Sequence, residues 1–250
     1  MSIPLIAILC TTMLATSFLS GIFGMAGGMI LIGVLLAMMP LPEAMVLHAV
    51  TQMASNGWRS LLWLKYVVWR SAAAYIVGAA LAMLLWSFTR YVPSKAMALL
   101  LLGTIPFLVR LAPARLSPNP ESIAQGVIYG LICTTLLLLT GVAGPLLDTF
   151  FLGGDTDRRQ KVATKGICQL FGHGAKLAYF GGVIDQAAAV DPVIAGVAIV
   201  ATTIGTTLAA RVLDRMTDAQ FRAWSSRIIT AVAGYFVVYG SYVLAASGAK

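Results

Sequence analysis

Charge is what this chain has least of. Asp, Glu, Lys and Arg make up 10% of its 250 residues, hydrophobic residues make up 59%, and the mean hydropathy is +0.89. A soluble domain is about 25% charged, and no polar stretch here is long enough to form one. From Ile3 to Met39 there is no charged residue, and Met1–Ser20 holds no Lys or Arg. A cleaved signal peptide lacks its basic n-region in such a sequence. Ala7-Ile8-Leu9-Cys10 only loosely resembles a lipoprotein cleavage site, because Leu9 stands where a small residue is expected, so residues 3–20 are read as retained. The three cysteines, Cys10, Cys133 and Cys168, lie far apart in apolar runs without a C-x-x-C. They read as buried thiols, neither disulfides nor metal ligands. There is no zinc motif, Ser/His pairing or phosphate loop, so no cofactor is expected. What remains is an all-α integral membrane protein, with room for about six to eight spans of roughly 20 residues plus shorter broken or re-entrant helices.

The charge that is present is one-sided: 17 basic residues against 9 acidic give a net +8. In a membrane protein most of that excess belongs to cytoplasmic loops facing anionic lipid, so it does not indicate nucleic acid.

Glycine is abundant where it is least expected. Gly21-Ile22-Phe23-Gly24-Met25-Ala26-Gly27-Gly28 lies inside the uncharged run. Each glycine weakens a helix by about 1 kcal/mol relative to alanine, so the pattern predicts a helix to about Ser20, an unwound break, and a short helix from Gly28 to Met39. Pro40 and Pro42 end it. Non-helical backbone at membrane depth is tolerated only where protein buries it or where it lines a wet cavity. There, free N–H groups and helix N-termini favour negative charge.

Glu43–Leu64 reads as a helix with Gln52, Ser55, Asn56 and Arg59 spaced three or four apart on one face. Such a stripe faces a bundle interior or a cavity. Spans are predicted over Ser71–Phe88, Ala96–Val109, Ser122–Thr140, Pro192–Ala210 and Ile228–Ala246. A short helix restarts at Pro145 and runs to Leu152, and a polar helix covers Gln160–Tyr179. Arg211–Arg227 reads as a basic, solvated loop. The proline-rich stretch near mid-chain divides the sequence into a first transmembrane repeat (1–112), a linker (113–121) and a second repeat (122–250).

An offset of 117 residues, the distance from Gly24 to Gly141, relates the two halves. Gly27 then falls on Gly144, Gln52 on Gln169, Asn56 on His173, Gly57 on Gly174 and Arg59 on Lys176. Apolar matches are cheap in membrane proteins, but matched Gln, Gly and basic positions at one offset are not. Two homologous halves with broken helices are a pattern of secondary transporters. An odd number of crossings per half makes the repeats inverted. The loops Lys65–Arg70, Arg110–Arg115, Asp155–Lys165 and Arg211–Arg227 are then inside and Gly181–Asp191 outside, with Arg90 and Lys95 outside against the charge rule.

If the halves face each other, Gly24, Gly27, Gly28, Gln52, Asn56 and Arg59 converge with Gly141, Gly144, Gln169, His173 and Lys176 on one substrate site. Glutamine amides donate hydrogen bonds, the basic residues add positive charge, and no acid is matched in the repeat. The site suits a small oxyanion. His173 can carry a proton near neutral pH, with His48 a weaker candidate.

The glycine stretches Gly24-Met25-Ala26-Gly27-Gly28 and Gly141-Val142-Ala143-Gly144-Pro145, with the helices that follow them, resemble those of the sulfite exporter TauE/SafE family of permeases over most of the chain. Ala26 interrupts the usual glycine run, and Ile32-Gly33 stand where a proline is expected. The resemblance implies a secondary transporter in the bacterial inner membrane that moves sulfite, an organosulfonate or a related carboxylate, with proton coupling. The implied partners are a small anionic substrate and membrane lipid, with a homo-oligomer left open. A passive anion channel is the alternative. An intramembrane enzyme built on Asp148 is disfavoured, because Asp148 matches Leu31 and no second acid lies at membrane depth; Asp148 is expected to bond a helix end or a cation such as Lys176.

Overall fold

The computed structural model describes residues 3–23, 25–111, 118–152, 157–184, 189–213 and 215–248. Within them the chain is helical throughout: α1 (Ile3–Phe23), α2 (Met25–Met38), α3 (Leu41–Leu62), α4 (Trp69–Thr89), α5 (Lys95–Leu111), α6 (Ile123–Thr140), α7 (Gly144–Leu152), α8 (Arg158–Ala178), α9 (Pro192–Leu213) and α10 (Asp218–Gly248). A 3₁₀ turn follows α3 and a π-helical turn, Tyr179–Val183, follows α8. Helices α1, α4, α6, α9 and α10 contain segments long and apolar enough to cross a membrane. By contrast α2 and α7, with 14 and 9 residues, are about 21 and 13 Å long, shorter than the roughly 30 Å hydrocarbon core.

Helix ends follow local chemistry. Ser122 caps α6 by accepting from the Gln125 N–H, and Gly141 closes it in the left-handed conformation at φ 85°. Pro42 and Glu43 open α3. At the start of α8, the Asp157 N–H donates to Gln160 Oε1 at 3.1 Å. The expected loop over Arg211–Arg227 is partly helix instead: α9 continues to Leu213 and α10 begins at Asp218. The cause is a second capping box. The Thr217 N–H donates to Gln220 Oε1 and the Gln220 N–H to Thr217 Oγ1, at 3.1 and 3.2 Å.

The first glycine stretch also differs from expectation. Helix runs through Phe23 and resumes at Met25, so Gly27 and Gly28 are helical; Gly24 lies outside the described residues. Gly27 is required for closeness, since a Cβ there would collide with the Thr16 carbonyl oxygen and reach within 2.6 Å of the Ser20 nitrogen. Packing of α2 back on α1 outweighs the helical cost of glycine. The second stretch does break, over Gly141–Ala143, and α7 starts at Gly144.

The strongest packing joins α4 with α6, α1 with α9, α5 with α10, and α3 with α8. Under the 117-residue offset α1 corresponds to α6 and α4 to α9, so the first two pairs are equivalents of each other. The other two each pair a helix with its own counterpart. Glycine seams make the close approaches, as expected where small residues draw helices together in lipid. Gly78 of α4 lies on the Val127 carbonyl and Gly130 of α6 on the Tyr75 carbonyl; Gly205 of α9 lies on the Leu14 carbonyl and Gly21 of α1 on Ala209. Both of these pairs run parallel. In contrast, α3 and α8 are antiparallel, with Gly166 against Ser60, Leu170 against Gly57 and Met53 against Gly174. So are α5 and α10, with Arg110 bonded to Thr230 and Gly240 against Leu100. Helix α2 is enclosed in the largest apolar cluster through Met29, Leu31, Ile32, Leu35 and Leu36. Phe88, Val200, Val238 and Tyr242 remain exposed on the outer faces, as lipid contact requires.

Candidate functional site

The two short helices begin side by side: a Cβ on Gly144 at the start of α7 would meet the Cβ of Met25 at the start of α2. A cavity opens where they meet. Its walls come from α2, α3, α4, α6, α7 and α8, and its central space is about 20 Å³, room for one water-sized group. The polar part of its lining is His48, Gln52, Tyr75, Gln169 and His173. Among the described residues no carboxylate lines it.

Each of these groups has a local cause. Gly28, lacking a side chain, lets the Gln52 carboxamide lie over α2; a Cβ there would sit 3.3 Å from Gln52 Oε1. His48 Nε2 donates to the Gly28 carbonyl at 2.9 Å, which fixes the tautomer and leaves Nδ1 as an acceptor. The His48 and His173 rings lie 5.5 Å apart at 57°. The Nδ1 of His173 and the hydroxyl of Tyr75 are buried with no partner in hydrogen-bonding geometry. Buried polar atoms are nearly always satisfied, and both of these stand on the cavity wall.

Of the residues expected to converge, Gly28, Gln52, Gly144, Gln169 and His173 line this cavity. Gly27 faces α1, and Gly24 lies outside the described residues. Gly141 is one step behind the wall, its carbonyl accepting from Lys176 Nζ at 3.1 Å. Three residues depart from expectation. Asn56 is buried but turns back on its own helix, Nδ2 donating to the Gln52 carbonyl at 2.9 Å. Arg59 reaches the Ser20 carbonyl near the end of α1, at 3.2 Å, and does not line the cavity. Lys176, fully buried, also stands outside the lining and donates to His48 Nδ1 at 2.7 Å. The two basic residues separate because α3 and α8 are antiparallel, so equivalent positions near their C-terminal ends point to opposite ends of the bundle. The cavity itself is displaced toward the Lys176 end. His48 and His173 line it, whereas their repeat counterparts Lys165 and Asn56 do not.

Asp148 pairs with Lys165, not with Lys176. The side chains of this pair are 33% and 18% exposed, and a partly solvated ion pair is worth about 0–1 kcal/mol. Asp148→Asn is therefore expected to lower the melting temperature in detergent by only a few degrees; a drop of about ten degrees or more would give this pair a larger structural role. Nearby, outside the spanning helices, Arg159 donates to the Tyr66 hydroxyl at 2.9 Å and holds it below the usual tyrosine range. These contacts close the end of the bundle away from the cavity.

Sequence reasoning ranked His48 low and missed Tyr75. The reason is the same for both: neither has a like residue in the other half, since the offset places Lys165 against His48 and Pro192 against Tyr75. Cys133 and Cys168 are buried and unpaired, as expected, whereas Cys10 is unpaired but only half-buried. Among the described residues no group of three or more potential metal ligands is present.

A family model described as sulfite exporter TauE/SafE matches residues 8–236, which takes in both glycine stretches and every residue of the cavity lining. No curated protein matches the chain, and no solved structure does.

Proposed function

The chain belongs to the sulfite exporter TauE/SafE family, a family of membrane transporters, and from that premise we propose that it is a secondary carrier moving sulfite or an organosulfonate, or a related small carboxylate, across the bacterial inner membrane with proton coupling. The observation that supports this most directly is the cavity lining. Two glutamine amides, a phenol and two imidazoles face one space with no carboxylate, at the starts of two helices whose N-terminal ends favour negative charge.

In this reading the halves are inverted. A two-fold rotation that exchanges α3 with α8 and α5 with α10 while each pair is antiparallel has its axis perpendicular to the helices, in the plane of the membrane. Among the described residues each half then has five helices, an odd number, two of the ten being too short to cross. The basic segments around Lys65–Arg70, Arg110 and Arg159–Lys165 fall at one end of the bundle, which the positive-inside rule makes cytoplasmic. Glu43 and Asp191 border a cavity at the opposite end.

The test is uptake of radiolabelled sulfite into proteoliposomes. Saturable uptake that an imposed pH gradient accelerates is the expected result. Current far above carrier turnover would identify a channel, and absence of flux for sulfite, organosulfonates and small carboxylates would overturn the anion reading.

A further inference from the structure

The buried amine of Lys176 is the feature that the cavity lining leaves unused. It has no exposed surface, and its two neighbours are neutral acceptors, the Gly141 carbonyl and His48 Nδ1. Through His48 Nε2 the chain of hydrogen bonds continues to the Gly28 carbonyl. One lysine thus ties the broken backbone of the second half to the corresponding helix of the first, by way of an imidazole that lines the cavity.

The count of hydrogen bonds is informative. A neutral amine has two N–H groups, and both find acceptors here. An ammonium has three, and the described residues offer no third acceptor and no carboxylate. Among the described residues the titratable groups around it are these. His48 faces it from α3 and His173 lies one turn earlier on α8. Tyr75 of α4, packed with Cys133 of α6, closes the cavity wall. Asp148 of α7 is held by Lys165, and the Tyr179 hydroxyl, beyond the end of α8, donates to the Tyr91 carbonyl. Arg59 is bonded to Ser20 at the other end of α3. A buried cation needs a counter-charge. Among the described residues no acid supplies it here, and an anion entering the cavity would.

Resting on the anion-carrier reading, we propose that Lys176 is the proton carrier of the transport cycle, taking up one proton for each anion bound and releasing it when the anion leaves. The amine lone pair accepts the proton and no other bond is made or broken. His48 acts as a positioning residue that holds the amine and relays its charge to the cavity. A monovalent anion is then carried without net charge, and a divalent one with a single net negative charge.

The experiment measures proton uptake and sulfite binding together, on purified protein in weakly buffered detergent solution, with binding followed by calorimetry. Wild type is compared with Lys176→Arg, whose guanidinium stays protonated. At equal occupancy the probe's own protonation cancels between the two. The expected result is one proton more per bound sulfite in wild type than in Lys176→Arg, with the variant's affinity keeping only the pH dependence that the probe's own titration gives. Lys176→Met, which removes the charge, is expected to bind sulfite at least ten-fold more weakly; if that variant does not fold, the arginine comparison decides alone. Equal proton uptake by wild type and Lys176→Arg would overturn the assignment while leaving the anion site standing. A wild-type protein that binds no sulfite, organosulfonate or carboxylate would overturn the anion reading and this assignment with it.

Discussion

Replacing Gln52 and Gln169 together by alanine is expected to reduce sulfite flux in proteoliposomes by roughly 100-fold or more. A hydrogen bond to a charged group is worth about 1.5–3 kcal/mol, and the two amides are the paired donors of the cavity, one from each half. Truncating both removes about 3–6 kcal/mol of anion stabilisation if each makes one such bond, which is a factor of at least 100. Each single variant should lose about ten-fold or more. The fold should tolerate the change, because neither amide carries a packing seam. Melting temperature in detergent serves as the control, along with Gln125→Ala, whose side chain bonds the Asn119 N–H at the outer start of α6. Normal flux in the double variant with an intact fold would remove the cavity from the transport path.

Gly130→Val should fail in the opposite way, through the fold. A Cβ at Gly130 would collide with the Tyr75 carbonyl oxygen and approach the Tyr75 carbonyl carbon at 2.9 Å. Backbone cannot swing aside as a flexible side chain does. Overpacking costs of about 1–3 kcal/mol are therefore a lower bound, and roughly 3 kcal/mol or more is expected. The measurement is thermal unfolding in detergent, with a drop of many degrees and little assembled protein recovered. The matched control is Gly234→Ala on α10, where a Cβ meets nothing within 4 Å; it should be neutral or slightly stabilising, since alanine is favoured in a helix by about 1 kcal/mol. A Gly130→Val protein that melts like wild type would mean that α4 and α6 do not meet along this seam.

Most of the helices were legible because uninterrupted apolar runs and proline or capping residues are local signals. The positions of α4, α5, α6 and α7 follow from them to within a few residues. The extent of α10 was missed because the charges of Asp218–Arg227 masked a Thr217/Gln220 capping box that was present in the sequence. Two helices do part at the first glycine stretch, but the bounds of the break were misjudged, for a different reason. Propensity reports the cost of glycine in an isolated helix, and it does not report what packs on the bare backbone, here Thr16 and Ser20 of the preceding helix. The repeat pointed to Gln52 and Gln169, which both line the cavity, since equivalent residues on packed antiparallel helices meet near their crossing point. The same symmetry misled at Arg59. Equivalent positions on antiparallel helices diverge as they move away from the crossing point, so Arg59 and Lys176 end up at opposite ends of the bundle. Tyr75 carried no signal, because a single hydroxyl in an apolar span looks like any other lipid-facing tyrosine.

The crossed pattern of helix packing bears on how the chain is assembled. Helix α1 finds its main partner in α9 and α4 finds its in α6, so the principal contacts of the early helices come from segments synthesised much later. Close to 190 residues separate Gly21 from Ala209, which it touches. Contacts so distant in sequence slow folding, and partly made intermediates are prone to misassembly. As it leaves the ribosome, the first half presents bare glycine seams to lipid with nothing yet seated on them. Until α6 and α9 are made, α4 and α1 lack their main packing partners. A truncation after α5 would strand α1, α3, α4 and α5 without their main partners, leaving only α2 with its own.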